Sequence, residues 1–340
     1  MRTGIIGNNL YGQVFTRAVE ANPPAVAVAI CSELGEPLEP FASQHNLKAY
    51  SSLKTMLQAE RLDAVMVASV TALHEQDTLT ALEAGASVLV DRPMAMDLQV
   101  CDRMVAAARS NGRILMVGQV LQFWPEYVAV RELVQKRSLG QIQVITASRV
   151  SGTLNPGWQE RLLNPAYGLG GLEAHIHDID FLTSLLGVPE SVTAQGRQTE
   201  KGGWVQVHSL LHYENGARAS VEADYSVPLN FPLSMYLRVV GSQASLVYTF
   251  RGALAAQEAA QRSLWFFENG AKPVELPVPL TDAYTSMVSH FFECIREGVE
   301  PEWGSPFQAR RALEVLLAIA ESAGSGAHVR LSPPPEGMPG

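Results

Sequence analysis

The chain is short of cysteine, of charge and of long apolar runs, and each shortage excludes a class of protein. Its 340 residues contain three cysteines, Cys31, Cys101 and Cys294, which lie far apart in the sequence. An odd number at this spacing fits neither a disulfide framework nor a zinc site, and it suits a reducing cytoplasm. Charged residues make up 17% of the chain, and the formal net charge is −9. Since nucleic-acid surfaces need clustered lysine and arginine, we expect no nucleic-acid partner.

Apolar runs are short as well. None approaches the roughly 20 residues of a membrane span, and the first residues, Met-Arg-Thr-Gly-Ile-Ile-Gly, read as folded sequence and not as a signal segment. We therefore expect a soluble, cytoplasmic protein with no membrane partner. The length predicts two domains, because a single core rarely grows beyond about 250–300 residues.

A β-α-β unit spans residues 62–95. The apolar run 64–68 predicts a strand buried on both faces, and residues 71–84 have helical spacing that ends at Gly85. A second apolar run follows at residues 88–90. Such units build parallel sheets.

The second strand of this unit runs into Asp91, Arg92 and Pro93. Ligands of open α/β sheets bind at this carboxyl edge. Arg92 could orient a substrate hydroxyl or carboxylate there, but it cannot act as a base because arginine keeps its proton. His74, at the start of the intervening helix, could face a cofactor. The alternatives are a surface arginine at a strand end and a histidine that caps a helix.

The start of the chain has the strand, glycine turn and helix of a dinucleotide fingerprint. Residues 2–6 predict the strand, Gly7-Asn8-Asn9-Leu10-Tyr11-Gly12 forms the turn, and residues 14–20 continue as a helix. The helix N-terminus would offer N–H groups to a pyrophosphate. Asn9 replaces the middle glycine, and its side chain crowds a phosphate. An ordinary tight turn is the alternative.

A second strand, residues 25–31, ends in Ser32 and Glu33, where dinucleotide proteins place an acid on the ribose hydroxyls. Ser32 at this position would accept a 2′-phosphate, whereas Glu33 would favour NAD. A third interpretation is that both residues cap the next turn.

The remaining predicted elements divide the chain near residue 120. Helices are predicted at residues 37–46, 51–58 and 98–111, and a strand at 114–117 closes the first part. The second part begins with a helix at 125–135 and a strand at 142–149. Three hairpins follow, at 205–225, 236–249 and 263–278, turning at Asn215-Gly216, Gly241-Ser242 and Asn269-Gly270. Closing helices are predicted at 282–297 and 307–323, and the Pro-rich residues beyond 332 form a loose tail.

An acidic and histidine-rich cluster follows the Gly170-Gly171 turn and leads into a predicted helix at residues 181–186. It contains Glu173, His175, His177, Asp178 and Asp180. On a helix, Glu173 and His177 lie one turn apart, and a histidine beside a carboxylate exchanges protons near neutral pH. The spacing is not His-Glu-x-x-His and no thiolate is near, so we expect no metal. Helix capping is the alternative role.

Placed in order, these segments resemble the GFO/IDH/MocA family of oxidoreductases, which includes glucose–fructose oxidoreductase and inositol 2-dehydrogenase. The resemblance runs from Gly4 to about Ala323. Its most specific parts are residues 62–68, Thr71 to His74, Ala81-Leu82-Glu83-Ala84-Gly85, Asp91-Arg92-Pro93-Met94-Ala95, Gln122-Phe123-Trp124-Pro125 and residues 170–180.

The resemblance implies a fold, a cofactor and a substrate class. Residues 1–120 would form a Rossmann domain with a parallel sheet that holds NAD or NADP. Residues 121–330 would form an α/β domain on an open, mostly antiparallel sheet, used for substrate and for assembly of a homo-oligomer (dimer or tetramer), with 331–340 as the tail. The substrate would be a sugar, cyclitol or related polyol.

The resemblance also implies site residues. The catalytic residues would be Arg92, His177 and Glu173. Cofactor contacts would come from Gly7, Asn8, Asn9, Leu10, Gly12, Ser32, Glu33, Ser69, Val70, Thr71, His74, Asp91, Arg92 and Pro93. Substrate contacts would come from Gln122, Trp124, Trp158, His175 and His177.

Four positions depart from the family pattern. Arg92 replaces a lysine that contacts substrate and assists proton transfer, so the transfer would fall on His177. Asn9 replaces a glycine, Ser32 an acid, and Gln122 an arginine. These departures leave two functions open: an NAD(P)-dependent oxidoreductase with an altered substrate, or a degenerate family member that acts as a ligand- or nucleotide-binding sensor or scaffold.

Overall fold

The structure is a computed structural model that describes residues 1–32, 37–152, 164–252 and 260–331. The chain divides into two compact units. The first comprises Met1–Phe123 with Thr281–Arg310, and the second comprises Trp124–Leu280 with the chain from Arg311. In the described residues, no helix has the length and apolar character needed to cross a membrane.

The first unit is built on a six-stranded parallel sheet of order β3-β2-β1-β4-β5-β6. The strands are β1 (Arg2–Ile6), β2 (Val26–Cys31), β3 (Lys48–Tyr50), β4 (Ala64–Val67), β5 (Ser87–Asp91) and β6 (Leu115–Gly118). Strands β4, β5 and β6 are buried along their whole length, as their continuous apolar runs predict. The predicted Rossmann sheet is confirmed, and its strand order reverses between β1 and β4, where such sheets bind dinucleotides.

Helices connect these strands. They are α1 (Leu10–Glu20), α2 (Glu39–Gln44), α3 (Leu53–Ala59), α4 (His74–Glu83) and α5 (Leu98–Ser110), with 3-10 turns at Thr71–Leu73 and Val120–Phe123. Asn9, Ser52 and Asp97 cap α1, α3 and α5 through their side chains. Strand β3 was not predicted; it has three residues at the sheet edge, and none of them is buried. It therefore carries no apolar pattern.

The segment 281–310 returns to the first unit, whereas the sequence predicted it to be part of the second domain. Its helix α8 (Ala283–Glu297) is capped by Asp282, ends at Gly298, and packs against α1. Farther along, Gly304 O accepts a 2.8 Å hydrogen bond from Val117 N on the free edge of β6. The segment therefore covers the edge of the sheet that would otherwise stay unpaired.

The second unit contains a nine-stranded sheet of order β14-β13-β12-β11-β7-β10-β9-β8-β15. Its strands are β7 (Ile142–Val150), β8 (Ser191–Gln198), β9 (Trp204–His212), β10 (Arg218–Asp224), β11 (Leu233–Gly241), β12 (Ala244–Gly252), β13 (Gln261–Glu268), β14 (Val274–Glu275) and β15 (Val329–Arg330). The three predicted hairpins are confirmed. The central pair β7–β10 is parallel, so the sheet is mostly and not wholly antiparallel.

Helices α6 (Pro125–Gln135) and α7 (Leu172–Leu186) belong to this unit, and α9 (Pro306–Ser325) passes from the first unit into the second at residue 310. Helix α7 packs against β7, β9 and β10 at the middle of the sheet. On β9, residues that face the helix side are buried, whereas alternate residues such as His208 and Leu210 are exposed. The sheet therefore has one face covered by helix and one exposed face.

A buried ion pair joins α7 to this sheet. Arg149 on β7 donates to both carboxylate oxygens of Asp178, with distances of 2.9 Å from Nε and 3.2 Å from Nη2. The two side chains are 8% and 2% exposed. The hydroxyl of Tyr127 lies 3.4 Å from the same carboxylate. Two parallel N–H donors satisfy Asp178 in a region that water does not reach.

We expect Arg149→Leu to lower the free energy of unfolding by roughly 3–5 kcal/mol, because it leaves the Asp178 charge buried and unpaired. Denaturant titration followed by circular dichroism measures the change. The double variant Arg149→Leu/Asp178→Leu is the matched control and should recover most of the loss, since no charge then remains buried. A single variant as stable as the wild-type protein would contradict this role for the pair.

Candidate active site

Two glycines hold the turn between β1 and α1 in a tight shape. Gly7 has a φ of +95°, and a Cβ placed there would lie 2.6 Å from Ala68 O. A Cβ on Gly12 would lie 1.9 Å from Gly7 O. Both distances are impossible for real atoms, so each position requires glycine. This close-packed turn before a helix N-terminus fits a bound dinucleotide.

Asn9 fills the space that the missing middle glycine would leave open. Its Oδ1 accepts hydrogen bonds from Tyr11 N at 2.9 Å and Gly12 N at 3.0 Å, and its Nδ2 donates to Ala68 O at 2.5 Å. The side chain therefore caps α1 and ties its start to the end of β4. Two of the helix amides that a pyrophosphate could use are already engaged.

The end of β2 lies beside this turn. Gly7 N donates to Cys31 O at 2.8 Å, and Asn8 Nδ2 donates to Pro37 O at 2.7 Å. Ser32 is buried at the end of the strand. Glu33, the other candidate for the ribose hydroxyls, lies outside the described residues.

His74 connects the loops that follow β4 and β5. The ring is fully buried, with Nδ1 2.9 Å from Pro93 O and Nε2 3.1 Å from Ser69 O. Burial lowers the pKa of His74 to about 4, so the ring is neutral near pH 7. The helix beginning at His74 also positions Asp77, which accepts a 2.6 Å hydrogen bond from Ser69 Oγ. His74 is therefore placed to hold backbone at this edge and not to exchange protons.

Arg92 follows β5, and its bond to Pro93 is cis. The residue is 4% exposed. Its Nη2 donates to the hydroxyl of Tyr11, and its guanidinium lies 4.9 Å from the centre of the Tyr11 ring. One residue thus contacts the arginine both through its oxygen and through its ring face.

Two further ionisable groups lie near Arg92. Burial raises the pKa of Asp91 to about 6, and the neighbouring Arg92 charge opposes this rise. Burial also raises the pKa of Tyr284 on α8 well above its usual value, with smaller contributions from Tyr11 and Asp91. Sequence reasoning missed Tyr11 as the partner of Arg92, although it lies within the fingerprint. It missed Tyr284 entirely, because no spacing connects α8 to the first sheet.

The turn after β6 carries the next candidates. Gln122 is fully buried in the 3-10 turn, as are the adjacent residues of that element. Trp124 belongs to the second unit, where its Nε1 donates to Tyr248 Oη at 3.0 Å and its ring meets Phe250 edge-on. Trp124 is thus held in that unit's core, and Trp158 lies outside the described residues.

Helix α7 begins at Leu172, nine residues earlier than the predicted start at residue 181. All of its first three turns except Glu173 are buried, so the apolar stripe that marks a surface helix is absent. Two glycines precede it because β9 approaches closely: Gly171 N donates to Trp204 O at 2.7 Å, and a Cβ there would lie 2.4 Å from that oxygen.

The acidic and histidine cluster therefore lies on one helix. Glu173 Oε1 accepts from Leu169 N at 3.1 Å, and His177, one turn later, is 8% exposed. His175 is fully buried, with Nε2 2.9 Å from Ser209 Oγ on β9, and burial lowers its pKa to about 3. His175 consequently stays neutral against the sheet, and Asp178 is used by Arg149. Of the two histidines in this cluster, His177 is the one that keeps some exposure.

The described residues contain no cluster of three or more histidine, cysteine or acidic side chains arranged to hold a metal ion.

Comparisons with known proteins match both parts of the chain. Residues 1–119 match the family described as "Oxidoreductase family, NAD-binding Rossmann fold", and residues 127–247 match the "GFO/IDH/MocA C-terminal domain". Mouse trans-1,2-dihydrobenzene-1,2-diol dehydrogenase is 27% identical over 95% of this chain and 96% of its own. The Bacillus subtilis scyllo-inositol 2-dehydrogenase (NADP(+)) IolU is 27% identical over 63% of this chain and 67% of its own. A Caulobacter crescentus aldose-aldose oxidoreductase complexed with glycerol shares the fold, with a TM-score of 0.84 and 23% identity over 97% of this chain and 99% of that one.

We expect Asn9→Gly to tighten NAD(H) binding roughly five- to tenfold, because it frees the amides of Tyr11 and Gly12 for a pyrophosphate. The stability of the ligand-free protein should change by only a few tenths of a kcal/mol, as for other cap-to-glycine changes. Calorimetric titration measures the affinity. Asn46→Gly, at a residue with a φ of +53°, is the matched control and should leave binding unchanged. Unchanged or weaker binding by Asn9→Gly would show that the cap and the cofactor coexist.

Proposed function

Because the chain belongs to the GFO/IDH/MocA family of NAD-binding oxidoreductases, we propose that it oxidises or reduces one carbon of a sugar, cyclitol or related polyol. The observation that carries this proposal is Arg92, which is buried with its cationic group at the carboxyl edge of the parallel sheet. A buried cation at that edge is suited to hold a substrate oxygen beside a dinucleotide. Relatives whose names specify a dihydrodiol and an inositol support a polyol-like substrate.

Each site residue has a distinct part in the proposed reaction. When bound, NAD(P) supplies the hydride acceptor or donor. Arg92 binds and orients the substrate oxygen, and it keeps its own proton because guanidinium does not titrate in proteins. His177 takes the proton from the substrate hydroxyl during oxidation and returns it during reduction. Glu173, one turn before His177 on α7, tunes that histidine.

The same reasoning extends to location and assembly. The three cysteines are buried and are not joined in disulfides, which supports the proposed cytoplasmic location. The open face of the nine-stranded sheet exposes Val144, Leu210 and Phe267, by 39%, 51% and 39%. We propose that a second copy of the chain covers this face.

His177→Ala should abolish turnover and leave NAD(H) affinity within about twofold of the wild-type value, because the side chain exchanges the substrate proton and lies outside the Rossmann unit. A screen of sugars, cyclitols and polyols with NAD and NADP, followed by nicotinamide absorbance and calorimetry, measures both quantities. Normal turnover in the variant would reject the role of His177.

The companion variant for this experiment is Arg92→Lys. It keeps the positive charge and restores an ionisable amine, so it separates an altered enzyme from a binding protein. A higher turnover in the variant, or a different preferred substrate, would support an enzyme with an altered site. A wild-type protein and variant that bind cofactor and turn over no polyol would favour the ligand-sensor function.

Size-exclusion chromatography with light scattering should give a dimer or tetramer. Leu210→Lys should shift it toward monomer, since a charge on the open sheet face opposes burial there. Val26→Lys, which changes an exposed apolar residue on the first unit, is the control. A wild-type monomer would reject this assembly.

A further inference from the structure

Gln119 follows β6 directly, at the carboxyl edge of the first sheet. Its side chain is 1% exposed, and neither Nε2 nor Oε1 has a hydrogen-bond partner in the part of the chain that the structure describes. The backbone of the same residue is satisfied, with N donating to Val117 O at 2.7 Å and O accepting from Gln122 N at 3.1 Å. Burying an amide with both ends unpaired costs free energy. We therefore expect a hydrogen-bond partner that is present when the protein functions.

The position of Gln119 indicates what that partner is. In a sheet of this order, β1 to β3 form one mononucleotide-binding half and β4 to β6 form the other. Asp91 and Gly118 are the last pair of the β5–β6 ladder, so Arg92 and Gln119 are the residues that directly follow it on the two strands. Gln119 therefore lies in the half that receives the second nucleotide, beside the strand that carries Arg92.

We propose that Gln119 is a cofactor-binding residue whose amide pairs with the carboxamide of the nicotinamide ring. A carboxamide offers an N–H donor and a C=O acceptor, which are the groups that the Gln119 Oε1 and Nε2 lack. Pairing two amides satisfies both ends of both groups at once. This interaction would fix the rotation of the ring, and with it the face that is presented to the substrate. The inference rests on the NAD-binding fold and does not depend on the substrate proposed above.

The test compares NADH with ADP-ribose, which lacks the nicotinamide ring. Calorimetry on the full-length protein should show that Gln119→Leu weakens NADH binding about tenfold, or ~1.4 kcal/mol, and leaves ADP-ribose binding unchanged. The melting temperature of the ligand-free variant should stay equal or rise, because an unpaired buried amide has been replaced by an apolar group of similar size. Gln76→Leu, at an exposed position on α4, is the matched control and should alter neither affinity.

Gln119→Glu keeps the shape and the acceptor but removes the N–H donor, and it should also weaken NADH selectively. Gln119→Glu replaces Gln119→Leu in the binding experiment if the leucine variant does not fold. An unchanged ratio of NADH to ADP-ribose affinity in the folded variants would overturn the proposal and assign the amide to buried water. Wild-type protein that binds neither ligand would overturn it together with the cofactor assignment. Absence of turnover with intact NADH binding would count against the proposed reaction alone.

Discussion

The close approach of backbone at the turn between β1 and α1 is the constraint on which this edge of the first unit depends. A Cβ on Gly12 would lie 1.9 Å from Gly7 O, so the helix can start where it does only without a side chain there. That start places the α1 amides against Asn9, which in turn binds Ala68 O at the end of β4. The same start of α1 places the Tyr11 ring against the guanidinium of Arg92. The geometry around Arg92 thus follows from two glycines some 80 residues earlier in the chain.

Sequence reasoning predicted most of this fold where the signal is local. Buried parallel strands leave apolar runs, and hairpins leave Asn-Gly or Gly-Ser turns between alternating strands, so both classes were found. The edge strand β3 was missed because none of its three residues is buried. The return of residues 281–310 to the first unit depends on tertiary contacts such as that between Val117 and Gly304, which leave no local pattern.

The residues of the candidate site also fall into those that the sequence could predict and those that it could not. Asn9, His74 and Arg92 could be predicted by position, because each follows a recognisable strand or turn. The charges that surround Arg92 could not all be predicted, since Tyr284, which interacts with it electrostatically, lies on a helix almost 200 residues later in the chain. The start of α7 was misplaced for a related reason. A helix buried on nearly every side has no polar face, so its first turns read as a loop with clustered acids and histidines.

The contacts with Tyr11 explain how an arginine fits at position 92, where the family pattern has a lysine. Lysine carries a compact charge that can release a proton, whereas arginine has a flat, permanently charged group that can stack on a ring. Tyr11 supplies both the ring and a hydroxyl acceptor, so the guanidinium is held in one orientation. His74, with its pKa lowered to about 4 by burial, is neutral at this edge, so its single N–H donates to one of the two backbone carbonyls beside it. The carboxyl edge of the first sheet therefore combines a permanently charged, fixed guanidinium with a histidine that stays neutral.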